Sequence, residues 1–223
     1  MIIKDDLSKI IIGGKTALLI NPPIYDTQYW ARWSQPHGLL KVASWLRKRE
    51  YTDLRLLDCL ATDQSRRVSF RRRSSIQPDN ISRQIYEFGW PLKKLRTELT
   101  RHATGELFRP DEVWITSIMT YWWESTRDVI RLIQEVFPKP RPRILVGGIY
   151  PTLFPEHADA KLSSESDNVL IVPGEICDEA ANSWTDLSLY NDPIYRAKPN
   201  SDKPKPKRES RTRCGSPEVR ETG

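Results

Sequence analysis

Few residues of this sequence stand in spacings that could do chemistry unaided. The three histidines, His37, His102 and His157, are far apart, and none has metal-ligand spacing to another histidine, a cysteine or a carboxylate. The cysteines Cys59, Cys177 and Cys214 form no CxxC or related pair. Ser117 has no evident base, so nothing points to an activated nucleophile. Asp58 could bind a polar ligand group or equally cap a turn. His37 and His157 each lie at a predicted helix end, where a structural role suffices. The chain contains neither GxGxxG nor GxxxxGK[ST], which argues against a dinucleotide fingerprint and a phosphate-binding P-loop. No residue is assigned as catalytic and none as a metal ligand.

What does stand out is a set of small, rigid and aromatic residues, each group placed directly after a short apolar run. The first run is followed by Asn21-Pro22-Pro23-Ile24-Tyr25, whose paired prolines predict a rigid extended loop. The third leads into Thr116-Ser117-Ile118-Met119-Thr120-Tyr121-Trp122-Trp123, where hydroxyls can reach a ligand and rings can stack on a flat one. Gly147-Gly148-Ile149-Tyr150-Pro151-Thr152 follows the fourth, and paired glycines there permit close backbone approach. The fifth ends in Pro173-Gly174-Glu175. Each group also has a plain reading: a tight turn for the glycines, a core position for Trp122 and Trp123, a shaped loop for the prolines. Their recurrence at four run ends is what marks them.

The elements that must position these residues are legible from hydropathy. Ala17–Ile20, Leu54–Asp58, Val113–Ile118, Arg143–Val146 and Val169–Val172 are apolar runs of strand length without polar alternation. Such runs predict strands buried on both faces, as in a parallel sheet covered by helices. Helical spacing lies between them. Gly38–Arg49 aligns Leu39, Val42, Ala43 and Leu46, with cations gathered at its end; Glu124–Phe137 aligns Val129, Leu132, Ile133 and Val136 and stops at Pro138. Pro155–Leu162 and Asp178–Leu187 read as shorter helices. Alternating strand and helix predicts a doubly wound α/β fold with a five-stranded parallel sheet, whose ligand site lies at the carboxyl ends of the strands.

The connection from about Leu60 to Pro110 is far longer than a plain crossover. It predicts an insertion over about 61–110: an irregular loop carrying Arg66, Arg67, Arg71, Arg72 and Arg73, then helical spacing over Ile81–Ala103 broken at Pro91. The arginines read as a solvated loop or, more pointedly, as a phosphate or nucleic-acid contact.

Composition sets outer limits. The 223 residues carry a formal net charge of +6, with 38% hydrophobic residues. Residues 196–223 hold nine Lys and Arg against four Asp and Glu, which accounts for five of the six net charges. The folded part is therefore nearly neutral, which weighs against a nucleic-acid-binding globule. That tail lacks aromatic residues and predicts a disordered extension, leaving 15–195 as the folded domain after an N-terminal extension over 1–14. Scattered cysteines in odd number predict no disulfide framework and fit a reducing cytoplasm. No apolar stretch is long enough for a membrane span, and the Ile10–Ile12 run is too short for a signal peptide.

Taken in order, the run-end motifs resemble the N-terminal cobalamin-binding domain of the cobalamin-dependent radical S-adenosylmethionine enzymes. The matching stretches are Leu19-Ile20-Asn21-Pro22-Pro23, Pro36-His37-Gly38-Leu39-Leu40 through Leu46, Ile115–Thr120, Val146–Thr152 with Pro155-Glu156, and Val172–Glu175, together spanning roughly residues 15–190. The resemblance implies a flavodoxin-like, Rossmann-like sheet with the corrin across its carboxyl edge and the nucleotide tail beside the strands. It implies cofactor contacts at Asn21, Pro22, Pro23, Thr116, Ser117, Met119, Thr120, Tyr121, Gly147, Gly148, Tyr150, Thr152, Gly174 and Glu175. Within that set, Ser117 and Met119 would meet the cofactor, and Gly147 and Gly148 would let the tail pass.

The chain departs from related patterns in two ways. Asp26-Thr27-Gln28-Tyr29-Trp30-Ala31 lacks the His and Gly of DxHxxG, so no protein histidine is expected below the cobalt. The CxxxCxxC motif for a [4Fe–4S] cluster is also missing. The resemblance thus implies a truncated or frameshifted product, or a module serving a separate radical SAM catalytic chain. The cluster and S-adenosylmethionine would then belong to a full-length relative or to that partner. Two other classes stay open. One is a regulatory or interaction domain of the same topology, disfavoured for the receiver type by Asn21-Pro22 and Ser117-Ile118 where acidic residues are needed. The other is nucleic-acid binding through the Arg loop and basic tail, which would weaken steeply with salt.

Overall fold

The computed structural model of the chain describes residues 14–28, 34–49, 51–62, 68–73 and 84–195. Most of the N-terminal extension, the basic tail, and Arg66 and Arg67 lie outside the described residues. The framework is an all-parallel five-stranded sheet of β1 (Thr16–Asn21), β3 (Asp53–Asp58), β6 (Glu112–Thr116), β7 (Arg143–Gly147) and β8 (Val169–Ile171). β4 (Phe70–Arg73) and β5 (Ile85–Phe88) belong to the insertion, whereas β2 (Ile24–Asp26) follows β1 directly; the three strands form a second, smaller sheet. The spatial order β3-β1-β6-β7-β8 is the flavodoxin-like order. Register runs Leu19 to Leu56 on one side of β1 and Leu19 to Trp114 on the other.

Alternation along β1 explains why its sequence is apolar throughout. Leu18 and Ile20 enter the core under α2 (Leu92–Ala103), α3 (Trp123–Val136) and α5 (Pro155–Leu162). Ala17 and Leu19 enter the opposite core under α1 (His37–Lys48) and α6 (Asp178–Ala181). All four are fully buried. Burying a Leu or Ile side chain contributes about 1.5–3 kcal/mol, so a strand covered on both faces tolerates polar residues only at its ends. The polar end groups are individually matched. Glu112, at the start of β6, accepts from Tyr51 Oη (2.8 Å) and Trp114 Nε1 (3.1 Å) and pairs with Lys15 (3.5 Å).

Helix ends follow local chemistry. α1 closes on Arg47 and Lys48, cations at the negative end of its dipole. α3 ends at Val136, with Phe137 already extended before Pro138, and α5 starts on Pro155, whose missing N–H has no helical partner to lose there. Two expectations need correction. The helix predicted over Asp178–Leu187 stops at Ala181; Leu187–Asn191 is a separate 3-10 turn whose Ser188 N–H is accepted by the Asp186 side chain. The insertion is also not a loop followed by a long helix. Ile85–Phe88 is β5, paired antiparallel with β2 (Ile24–Asp26) and β4 (Phe70–Arg73), and the helix begins only at Leu92, after Pro91. Ile85, Phe88, Leu92, Leu95 and Leu99 share a helical spacing by coincidence. Phe88 packs with Ile24 and Val68, and Phe70 stands 5.5 Å from Tyr86 and 5.6 Å from Phe88, ring centre to ring centre. Gly89 (φ +90°) then turns the chain where a Cβ would come 2.3 Å from the Cys59 carbonyl oxygen.

The outer edge of β3 is covered by a strap formed by Leu187–Asn191 and Pro193–Tyr195. Tyr190 Oη donates to Asp58 Oδ2 (2.7 Å), Tyr195 Oη donates to the Leu56 carbonyl (2.8 Å), and Asp192 pairs with buried Arg55 (2.6 Å). Arg55 also meets Glu98 (3.0 Å) and His102 Nε2 (3.2 Å). An edge protected in this way has few backbone groups left for another strand. Among the described residues, no helix is long and apolar enough to cross a membrane.

Candidate cofactor cleft at the carboxyl edge

The topology sets the location. β1 lies between β3 and β6; the chain leaves β1 toward α1 on one face and leaves β6 toward α3 on the other. Loops diverging in this way open a crevice at the carboxyl edge. Two cavities flank that point. The first, of about 320 Å³, lies on the α1 and α6 side. Thr116, Gly147, Gly148, Gly174 and Glu175 form its strand-end wall; His37, Gly38 and Lys41 of α1, with Ala180 and Ala181 of α6, form the facing wall. The second, of about 300 Å³, lies between the inserted sheet and the loop after β6, with Asn21, Asp26, Phe88, Met119, Tyr121 and Trp122 among its walls.

The two adjacent glycines do different things. Gly148 has φ +110°, and a Cβ there would lie 2.5 Å from the Ser117 carbonyl oxygen. Ser117 N–H donates to the Gly147 carbonyl (2.8 Å), and Tyr150 N–H donates to the Ser117 carbonyl (3.1 Å). The chain ends of β6 and β7 are thus knotted backbone to backbone, and Gly148 is required by that knot. Gly147 is required by nothing of the kind. Its Cβ would meet only the Val172 carbonyl oxygen at 3.5 Å, an ordinary contact, and a longer side chain would extend into the first cavity. A Cβ on Gly174 would meet no atom within 4 Å. This wall is bare of side chains at two points.

The fourteen residues named from sequence therefore separate. Thr116, Gly147, Gly148, Gly174 and Glu175 come together at the first cavity. Asn21, Met119 and Tyr121 line the second, with the Asn21 amide donating to buried Asp58 (2.7 Å). The Ser117 hydroxyl, expected to meet a cofactor, is 3% exposed, accepts from Thr126 Oγ1 (3.0 Å) and reaches neither cavity. Pro22 borders the small gap around Ser117 and neither larger cavity, and Pro23 and Thr120 border none of these three hollows. Tyr150 is fully buried in the core, its hydroxyl bonded to His157 Nδ1 (2.8 Å) and its pKa pushed up to about 12 by burial. It turns inward because α4 (Ile149–Leu153) presents this ring to the sheet and Ile149 and Leu153 to solvent. Thr152 donates to the Gly148 carbonyl (2.7 Å) and accepts from Gly174 N–H (2.8 Å), so it ties the loops after β7 and β8 instead of lining the cleft.

Sequence reading missed Lys41, Asp26 and the small pair Ala180-Ala181. Lys41 Nζ donates to the Ala181 carbonyl (2.6 Å), bridging α1 to α6 along the facing wall of the cleft. Its signal was present as a cation near the start of an otherwise apolar helix. The arginine cluster is partly consumed internally: Arg71 pairs with Glu87 (2.8 Å), and Arg73 pairs with Asp128 (3.5 Å) while covering the Tyr25 ring at 3.8 Å. Asp58 is saturated by Asn21, Tyr190 and the Leu60 N–H, which makes it a structural carboxylate. His102 is fully buried; burial first, and the facing Arg55, lower its pKa below the ordinary 6.5. Among the described residues, no group of three His, Cys, Asp or Glu could hold a metal ion. Compared with known proteins, the chain matches no family model and no curated protein.

Proposed function

We propose that this chain is a cobalamin-binding module that holds the corrin across the carboxyl edge of the sheet. The nucleotide tail would enter the cavity between the strand ends and α1. One observation carries the reading: the cavity wall at Gly147 and Gly174 is free of side chains and opens directly onto the sheet edge. The volume of about 320 Å³ is at the low end for ligand pockets, enough for the nucleotide end of the cofactor and far too small for a macrocycle. The residues fit a ligand that is only partly swallowed. Thr116 and Glu175 offer polar contacts at the wall, and Trp114, Val42 and Val172 offer an apolar floor for a heterocycle.

Bound, the cofactor would supply a cobalt centre able to form and break bonds to carbon. The chain's own residues would bind and orient it. Radical chemistry with S-adenosylmethionine needs three thiolates on one cluster, whereas Cys59, Cys177 and Cys214 lack CxxxCxxC spacing in the sequence, and the Cys59 thiol is fully buried with its pKa pushed up by burial. That step belongs to sequence outside these 223 residues, in a separate or further catalytic unit, in a reducing cytoplasm.

The test is spectroscopic. Purified protein is mixed with hydroxocobalamin, free ligand is removed by gel filtration, and the visible spectrum is recorded. Retention near one equivalent is expected, with loss of most of it in Gly147→Leu at unchanged circular dichroism. Folded wild-type protein that retains no corrin overturns the reading. Equal retention by Gly147→Leu overturns the place given to the tail. Gly148 is unsuited to this test, because any side chain there strikes Ser117.

A further inference from the structure

The second cavity has a chemistry of its own. Asp26 stands at its wall, half-buried, and both carboxylate oxygens accept from neutral donors: Oδ1 from the Gln28 N–H (3.1 Å) and Oδ2 from Trp122 Nε1 (3.2 Å). Among the described residues no cation pairs with it, although the neighbouring strand β4 pairs Arg71 with Glu87 and Arg73 with Asp128. A half-buried carboxylate hydrogen-bonded only to neutral donors keeps its charge available to a cation that enters the hollow. Tyr121 and Trp122 line the same hollow and meet nearly at right angles, with ring centres 5.9 Å apart and planes at 83°. The Tyr121 hydroxyl has its pKa raised by burial and by the Asp26 charge, so the ring and the carboxylate lie within each other's field. Met119 adds a polarisable thioether to the rim.

We propose that this cavity binds a small quaternary ammonium ligand, with Asp26 as counter-charge and the Tyr121–Trp122 corner as its aromatic wall. Ring faces attract cations electrostatically, and two rings set at an angle enclose a methylated ammonium better than either alone. A primary ammonium is the poorer match. It would give up hydrogen bonds to water that ring faces cannot replace, whereas a methylated ammonium has no N–H to leave unmatched against the Tyr121–Trp122 wall. The site shares no lining residue with the cavity at Gly147, Gly174 and α1, so its test in cobalamin-free protein does not depend on whether the nucleotide tail enters there.

Choline is the probe, titrated by calorimetry into cobalamin-free protein at fixed ionic strength, with 3,3-dimethylbutan-1-ol as its uncharged isostere. Saturable binding of choline is expected, with the isostere weaker by roughly threefold to tenfold, the range that cation–π attraction and one counter-charge supply. Asp26→Asn keeps an acceptor for Trp122 and should weaken choline by a similar factor. Tyr121→Leu changes a ring that is 52% exposed, so folding is not at stake, and it should weaken choline without changing the isostere. Absence of choline binding, equal affinity for the isostere, or wild-type affinity in both folded variants overturns the proposal.

Discussion

The chain carries two sheets that hold together for different reasons. The central strands of the parallel sheet are apolar between their ends: β1, β6 and β7 contribute buried runs, sandwiched between two helical layers. The inserted sheet is antiparallel, with strands of three or four residues that are mostly half-exposed, and its own core is Ile24, Val68 and Phe88. It depends on aromatic contacts and on arginine pairs such as Arg71 with Glu87. The contrast assigns the two sheets different duties. Deep burial gives the parallel sheet a rigid edge on which a cleft can be built. The small sheet contributes one wall of a second hollow and can be altered without unmaking the first.

The largest effect expected is at the joint between β6 and β7. Gly148→Val combines a left-handed φ with a clash on Ser117 and should cost about 3 kcal/mol or more in denaturant unfolding, whereas Gly147→Ala should cost less than about 1 kcal/mol. Similar losses in the two variants would contradict the division of labour between the glycines. Next comes Phe88→Ala, expected to cost about 3 kcal/mol within the inserted sheet. Hydrogen exchange should then quicken at 24–26, 70–73 and 85–88 while Leu19 and Ile115 stay protected. Lost protection in the parallel sheet as well would merge the two regions into one cooperative unit.

The smallest effect is on pH. His102 Nδ1 donates to the Phe108 carbonyl (2.6 Å), which leaves Nε2 to accept from Arg55 Nη1 (3.2 Å). Arg55, Glu98, Arg101 and Asp192 are the charged groups that face this cluster. The unfolded histidine takes up its proton near 6.5, the folded one only at lower pH. Stability is therefore complete above about pH 6.5 and declines as pH falls below it, before the carboxylates near 3.8 contribute. His102→Asn keeps a donor for Phe108 without titrating and should flatten this slope in thermal melts between pH 7 and 5. An unchanged slope would locate the titrating group elsewhere.

Much of the fold was legible because burial on both faces leaves a direct trace. Five apolar runs named all five parallel strands to within two residues, and Pro155 and Pro138 marked helix limits correctly. The inserted sheet left no such trace. Its strands are short and half-exposed, and Ile85 and Phe88 fall by chance on a helical period with Leu92 and Leu95. At the site, five of the named residues line the first cavity because strand ends in this topology converge whatever else the chain does. Tyr150 and Ser117 were misplaced because a residue's distance from a strand end does not say which way its side chain turns.

The sequence by itself determined the class of fold, the number of parallel strands and the edge at which their loops gather, since these follow from apolar periodicity and chain connectivity. Only the tertiary structure decided that Gly148 serves the fold while Gly147 bounds the cleft, that Asp58 is consumed by Asn21 and Tyr190, and that Asp26 meets Tyr121 and Trp122 across some ninety-five residues of chain. Those outcomes depend on which atoms are neighbours in space. Neighbours brought together by sheet pairing and helix packing leave no mark in the order of the residues.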